Sequence, residues 1–379
     1  MARLAAATAH LEPPFAVLDR DALRANAHDL RRRSHGLPVR VATKSVRCRA
    51  VVDEVLAMPG FSGVMAYSLA EALWLVDRGA TDVLLAYPSV DSASLRRLAG
   101  DEQVAQVVTL MVDDVAQLEL MEAAAPAAGL RVCLDVDASL RLGPVHLGVR
   151  RSPLRTPEQV RVLAGDVLRR GHALVGLMFY DDQIAGLPDS SPAIRWVKSR
   201  SAHDLLRRRR EVVDQVREVA DVLLVNGGGT GSLHVTGRDP VLTELAAGSG
   251  LYGPTLFDSY RGFRPRPALF FVLPVVRRPG PRVATVFGGG YIASGPPGRS
   301  RVPTPWWPRG LSLLRAEGAG EVQTPLRSKA SGPAVGDRVW FRHAKAGELC
   351  ERFRQLHVVE GDRLVDVSPT YRGEGQAFG

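Results

Sequence analysis

Between Phe15 and Gly253 the chain alternates short apolar runs with longer amphipathic ones, and that alternation limits the fold more than any other feature of the sequence. Eight runs, FAVLD, VRVATKS, GVMAYS, DVLLAYP, VVTLMV, RVCLDVDA, LVGLMFY and VLLVNGG, are apolar on both faces and end in small or polar residues. Strands of a parallel sheet covered on both sides read this way. The segments between them, SLAEALWLVDRGA and DVAQLELMEAAAPAAG among them, carry helical periodicity with a Ser or Asp start and a Gly stop. Such runs with intervening helices predict an α/β chain with a (β/α)8 barrel over residues 1–255; a doubly wound open sheet is the alternative. Beyond Pro254 helical stretches nearly vanish, and ALFFVLPVV, RVATVFGGGYIASG, VGDRVWFRHA and LHVVEGDRLVDVSPTY read as strands between Gly and Pro turns. A mostly-β domain is therefore expected over 256–379, with residues 1–14 as candidates to pack on it.

At 379 residues the chain can bury a sizeable core, and 45% apolar with 23% charged residues places it among folded globular proteins. Its net charge is +9, but the basic residues are nearly all arginine and are scattered among acids. They do not form the one-sided stripe of a nucleic-acid binder. The densest cluster, LLRRRREVVDQVREVADVL from Leu205, has apolar residues at helical spacing and is expected to be a solvated helix face. Three cysteines, Cys48, Cys133 and Cys350, without a CxxC pair suit a reducing cytoplasm. No run reaches the roughly eighteen apolar residues of a membrane span, and the N-terminus lacks an apolar secretion signal. A soluble cytoplasmic protein without nucleic-acid or membrane partners is expected.

In a parallel barrel the chemistry gathers at the C-terminal ends of the strands. Lys44 closes VRVATK and is one of only four lysines; the others, Lys198, Lys329 and Lys345, fall in a helix, a loop and the β domain. Arginine would serve for surface charge but stays protonated. A lysine at a strand end points instead to an amine that must lose its proton, as Schiff-base chemistry requires. The stretch LLVNGGGTGS places Gly228, Gly229, Thr230 and Gly231 where backbone N–H groups can close around a phosphate, with the Thr230 and Ser232 hydroxyls adding donors. On its own a plain glycine turn looks the same. LDVDASLRLGPVHLGVR puts Arg141 and His146 after a strand carrying Asp135 and Asp137. The arginine can hold a phenolate or carboxylate, and a salt-bridged loop fits the same residues. Tyr180 and Gln183 follow LVGLM. In the β domain FRHAKAGELCERF holds His343, Glu348 and Cys350, which suit either a zinc site or a buried histidine with a structural cysteine.

Lys44 in VATKS, then DVDASLRLG, NGGGTGS and GSGLYGPTLFD, in that order and ahead of a β domain, resemble the fold-type III pyridoxal-phosphate enzymes. These pair a barrel like that of alanine racemase with, in D-threonine aldolase and D-serine dehydratase, a characteristic C-terminal domain; more narrowly the chain is similar to the amino acid deaminase/aldolase group. The resemblance spans essentially the whole chain. It implies pyridoxal 5'-phosphate held covalently by Lys44, with its phosphate in a cradle of Gly228, Gly229, Thr230 and Gly231 completed by Tyr252. It further implies Arg141 near the phenolic oxygen of the cofactor ring and Tyr180 beside the cofactor, so that Lys44, Arg141 and Tyr180 are the catalytic set. A histidine common near this tyrosine in D-threonine aldolases is missing from FYDDQIAG. In the aldolases and dehydratases a His followed two residues later by Asp or Cys binds a divalent ion. Here Ala344 and Lys345 follow His343, and Cys350 comes seven residues on. A manganese, zinc or magnesium site on His343 and Cys350 therefore requires an insertion between the two.

The activity implied is cleavage of the Cα–Cβ bond of a D-3-hydroxy amino acid to glycine and an aldehyde. Dehydration to a 2-oxo acid and ammonia is the alternative from the same site. An amino acid racemase needs a second base, for which Tyr252 and Tyr260 are the candidates near the domain junction. A non-catalytic cofactor-binding protein would resemble the barrel alone. The resemblance also implies a homodimer acting on a small amino acid.

Overall fold

The computed structural model describes residues 1–126 and 129–378. The chain divides into two compact units. Leu30–Lys44 and Val55–Gly248, with Phe378, form one; Met1–Asp29, Ser45–Glu54 and Ser249–Ala377 form the other.

The first unit is a closed barrel of parallel strands: β1 (Val39–Ala42), β2 (Phe61–Ala66), β3 (Val83–Leu85), β4 (Val108–Val112), β5 (Arg131–Asp135), β6 (Ala173–Phe179), β7 (Leu224–Gly227) and β8 (Glu244–Ala247). Each strand pairs with the next, and β8 returns to β1 with Ala246 opposite Arg40. The intervening helices start where side chains satisfy their first N–H groups. Ser68 accepts from Glu71 N at 3.2 Å to cap Leu69–Val76, and Asp114 with Gln117 forms a capping box on Val115–Ala124.

Alternate residues of each strand face the barrel axis, so the interior fills in layers. Met65, Leu84, Met111, Cys133, Met178 and Ala246 form the apolar middle layer. Toward the N-terminal ends of the strands lies a charged floor. Arg40 donates to Glu244 at 2.6 and 2.8 Å and to Asp82 at 2.9 Å through each of two nitrogens, and Asn226 adds a bond to Glu244 at 2.6 Å. Burial alone would lower the Arg40 pKa; Glu244 and Asp82 together raise it above the usual value. Gly63, at φ +68°, leaves the space, because a Cβ there would stand 2.3 Å from an Arg40 guanidinium nitrogen.

The second unit is built on a nine-stranded sheet. Its long strand Leu269–Gly280 pairs antiparallel with Val283–Phe287, with Arg338–Arg342 and with Phe15–Asp19, and Phe15–Asp19 runs parallel to Gln355–Glu360 on its other side. Leu4, Phe15, Val17, Phe270, Val272, Trp340 and Val359 share one apolar cluster.

This corrects the sequence reading in two places. FAVLD is not a barrel strand: all five of its residues are buried within the second unit's sheet, and a run buried on both faces looks the same in either setting. The eighth barrel strand is ELAA, β8, which opens on the floor residue Glu244 and is half alanine, so it lacks the β-branched signature of a strand. The boundary expected at 255/256 differs accordingly, since residues 1–29 and 45–54 fall with the second unit.

Removing one partner of a buried ion pair strands the others. Arg40→Met should lower the free energy of unfolding by ~3–5 kcal/mol in urea titrations, with part of the loss recovered when Glu244→Gln is added. A loss under about 1 kcal/mol would mean that the floor does not depend on Arg40.

Candidate active site

The mouth of the barrel is built from residues just past the strand ends. A 3-10 turn at Thr43–Ser45 follows β1 and presents Lys44, whose Nζ donates to the Tyr87 hydroxyl at 2.6 Å. Tyr87 lies two positions beyond β3. The Arg151 guanidinium stands 5.1 Å from the centre of the Tyr87 ring and 4.8 Å from that of Tyr180, which directly follows β6. Burial would raise the Tyr87 phenol, but Lys44 and Arg151 pull it below its ordinary value. Tyr180 is held the other way: burial and the neighbouring Asp182, which accepts its hydroxyl at 3.1 Å, push its pKa well up and keep it a proton donor.

Two carboxylic acids close β4 and β5. Val112 pairs with Leu134, so Asp113 and Asp135, the next residues, end adjacent strands, and both are buried. Asp113 accepts from the Gln117 side chain at 2.7 Å. Burial and then the Asp113 charge raise the Asp135 pKa to about 7 against the opposing pull of Arg151. Asp137 behaves differently. Burial would raise it, but bonds from the Ser139 hydroxyl and N–H and from Arg155 hold it below the ordinary carboxylate range. Arg141 sits in the hairpin formed by Leu140–Leu142 and Val145–Leu147 and donates to Asp137 at 2.8 Å. With His146, Arg150 and Arg151 it lines an open cleft of about 420 Å³ to which no acidic side chain contributes.

The glycine turn follows β7. Gly228 has φ +77°, and a Cβ on Gly229 would stand 2.9 Å from that of Ala185, so side chains are disfavoured at these two positions. Arg33, buried, donates to the Thr230 carbonyl at 2.7 Å.

Of the residues expected from the sequence, Lys44, Arg141, Tyr180, Gly228, Gly229, Thr230 and Gly231 fall in the barrel unit, while Tyr252, His343 and Cys350 fall in the second unit. There Tyr252 is fully buried and donates its hydroxyl to the Val46 carbonyl at 2.9 Å, with the Cys350 sulfur 4.0 Å from that hydroxyl and the His343 ring edge-on at 6.3 Å. The ring nitrogens of His343 are buried and make no well-formed side-chain hydrogen bond among the described residues, with the Leu269 backbone beside them. Burial lowers the His343 pKa to about 3 and pushes the Cys350 thiol up. Glu348 accepts from Ser294 N at 2.9 Å, and Gln183 donates to the Ala138 carbonyl at 2.7 Å.

Sequence reasoning missed Tyr87, Arg151 and Asp113. Tyr87 and Asp113 stand just beyond strand runs, where the rule that selected Lys44 would have found them. Arg151 comes from beyond the hairpin and carries no periodic signal. The arginine run after Leu205 is not wholly a solvated face either. Arg208 and Arg209 of the helix Pro192–Arg217 are buried, and Arg208 donates to the carbonyls of Asp137 and Ser139.

A family model described as the alanine racemase N-terminal domain matches residues 18–255. A 3-hydroxy-D-aspartate aldolase of Paracoccus denitrificans (strain Pd 1222) is 27% identical over 256 residues, covering 63% of this chain and 60% of that protein. Another 3-hydroxy-D-aspartate aldolase from Paracoccus denitrificans is 24% identical over 248 residues, with the same coverage of 63% and 60%. The chain thus spans about 60% of the length of the curated relatives it matches. Among solved structures, D-threonine aldolase from Filomicrobium marinum superposes with a TM-score of 0.81 at 22% identity, covering 96% of this chain and 95% of that one. D-threo-3-hydroxyaspartate dehydratase from Delftia sp. HT23 gives 0.74 at 19% identity over 95% and 97%. These two share the fold.

The buried Asp135 carries a pH signature. The folded protein keeps its proton between the ordinary carboxyl value of 3.8 and about 7, whereas the unfolded chain has lost it, so stability falls as pH rises through that window. Asp135→Asn cannot ionise. Its urea midpoint should lie close to that of the unsubstituted protein near pH 4 and above it at pH 8; parallel pH profiles for the two proteins would show that Asp135 ionises as easily folded as unfolded.

Proposed function

Because the chain belongs to the family defined by the alanine racemase N-terminal domain, whose model covers residues 18–255, we propose that it is a pyridoxal-phosphate-dependent lyase that cleaves D-3-hydroxy amino acids between Cα and Cβ. The observation that carries this reading is Lys44, a primary amine delivered just past a barrel strand to a mouth that also holds a glycine turn whose Gly228 and Gly229 disfavour side chains. The residues present fit the cofactor: Lys44 would hold its aldehyde, and the turn at Gly228, Gly229, Thr230 and Gly231 its phosphate. When bound, pyridoxal phosphate supplies a conjugated ring that accepts negative charge developing at Cα.

The chain's own residues supply orientation and proton handling. Tyr87, its phenol acidity raised, accepts a hydrogen bond from the Lys44 amine and orients it. Tyr180 stays protonated and donates. Asp135 is poised to hold or release a proton near neutrality, which is where a general acid or base works best. Retro-aldol cleavage requires removal of the β-hydroxyl proton and later delivery of one to Cα, and Asp135 and Lys44 are the groups placed to move them.

The basic cleft of Arg141, His146, Arg150 and Arg151 supports a substrate with a second carboxylate, such as a 3-hydroxyaspartate, in keeping with what the curated relatives are named for. The dehydratase reading draws on the same residues and on the fold shared with the hydroxyaspartate dehydratase. A racemase is less well supported, because Tyr252 is committed to the Val46 carbonyl and Tyr260 is packed between Phe257 and Phe263.

For a metal, the candidate donors are the buried His343 ring and the Cys350 thiol, whose pKa burial pushes up. Among the described residues no group of three or more His, Cys, Asp or Glu side chains is arranged to hold an ion. That donor set falls short of the three protein ligands usual in catalytic divalent sites, so no step is derived through a metal. No helix among the described residues is long and apolar enough to cross a membrane. A homodimer and a cytoplasmic location belong to the same reading, and sedimentation would show the former.

Borohydride reduction of the cofactor-loaded protein followed by peptide mapping should place the pyridoxyl group on Lys44; a label on Lys198, Lys329 or Lys345 would overturn the assignment. With 3-hydroxy-D-aspartate or D-threonine as substrate, the expected products are glycine with glyoxylate or acetaldehyde. Oxaloacetate or 2-oxobutyrate with ammonia would establish the dehydratase instead. Repeating the assay with EDTA, and with manganese, zinc or magnesium added back to His343→Ala and Cys350→Ala, tests the two as ligands: unchanged activity throughout removes the ion from the reading.

A further inference from the structure

Behind the glycine turn lies a buried polar cluster that the chemistry above does not use. Asp181, next to Tyr180, has no exposed surface. Its Oδ1 accepts from Ser232 Oγ at 2.9 Å, and its Oδ2 accepts from Thr236 Oγ1 at 2.6 Å and from Arg209 at 3.3 Å. Arg209 also reaches Asp239 at 3.1 Å, so one buried guanidinium is shared by two carboxylates. Ser232 Oγ in turn accepts from the Gly229 N–H at 3.0 Å and stands 3.3 Å from the Gly229 carbonyl oxygen.

A hydroxyl has one proton to give. Burial raises the Asp181 pKa against the opposing pull of Arg209, Thr236 and Ser232. Both Asp181 oxygens accept in this cluster, so Ser232, at 2.9 Å, directs its proton to Asp181 and leaves its lone pairs for the Gly229 N–H. The direction of the Gly229 peptide is thereby set from behind by the Asp181 carboxyl group. Burying a carboxylate is costly compared with apolar packing of the same volume, and here it orients the glycine turn that follows β7.

We propose that Asp181 is a positioning residue for the anion-binding turn: acting through Ser232, it fixes the Gly229 peptide and so the backbone of Gly229, Thr230 and Gly231 that grips the cofactor's phosphate. This rests on the reading that the turn holds a phosphate. Asp181 itself touches neither cofactor nor substrate. An asparagine in its place would offer an amide donor to Ser232 Oγ, turning the hydroxyl proton toward the Gly229 carbonyl and making the Gly229 N–H share the Ser232 oxygen with that amide.

The test compares the equilibrium binding of pyridoxal phosphate with that of pyridoxal, which has the same aldehyde and ring but no phosphate, followed by quenching of protein fluorescence. The unsubstituted protein should prefer the phosphorylated form. Asp181→Asn and Ser232→Ala should each lose about tenfold of that preference, as expected for one misdirected hydrogen bond to a charged group, while pyridoxal affinity changes by less than about twofold. A preference retained by the folded variants overturns the proposal, as does an equal loss for both ligands, which is what general loosening would produce. If Asp181→Asn fails to fold, Ser232→Ala, which removes a single hydroxyl, decides. If the unsubstituted protein binds both ligands equally, the phosphate reading itself has failed and the positioning role goes with it.

Discussion

A period of two along every strand of a closed sheet is the constraint on which the rest of the barrel depends. With no free edge, each strand must send alternate residues to the axis, and the layers cannot shift independently. Arg40 lies on β1, and Lys44 stands four positions on, in the 3-10 turn that follows the strand. The first is locked among Glu244 and Asp82 at one end, the second opens into the mouth at the other, and Met65, Met111, Cys133 and Met178 separate them. The apolar layer separates the guanidinium of the floor from the amine at the mouth. A slip of one residue in β1 would turn Arg40 away from the axis.

The arginine-rich composition acquires a physical meaning in this setting. Arg33, Arg40, Arg208 and Arg209 are all buried in the barrel unit, each tied to carbonyls or carboxylates. Because a guanidinium does not give up its proton at any ordinary pH, these residues act as fixed charges. Lys198, by contrast with Lys44, is bonded to Asp189. The single lysine that a barrel strand delivers to the mouth is thus set in a framework whose other cations do not titrate.

Much of this was legible in the sequence and the remainder was not for identifiable reasons. Strands apolar on both faces announced a parallel barrel, and the rule that function gathers at strand ends selected Lys44, Tyr180 and the glycine turn, all of which stand just past barrel strands. The same periodicity could not say which sheet FAVLD belongs to, since burial on both faces is common to both, and it passed over ELAA, whose alanines carry little β preference. Arg151 reaches the mouth from beyond a hairpin, and its place between Tyr87 and Tyr180 follows from tertiary packing alone. The cluster of Asp181, Ser232 and Arg209 joins residues from three distant segments, and the arginine among them was hidden in a charge run that looked solvated.

The strand Phe15–Asp19 lies between Leu269–Gly280 and Gln355–Glu360, inside a sheet whose other strands are all encoded far downstream. During synthesis this apolar segment emerges about 250 residues before its first partner, a delay on the order of ten to fifty seconds at ordinary translation rates. Until then five residues that end up buried have no sheet to join. The gene therefore cannot be cut at the apparent boundary near residue 255 into two self-sufficient halves: the downstream product would lack an internal strand, and the upstream product would carry an orphaned sticky one. Sheet completion makes the last-made part of the chain the custodian of the first.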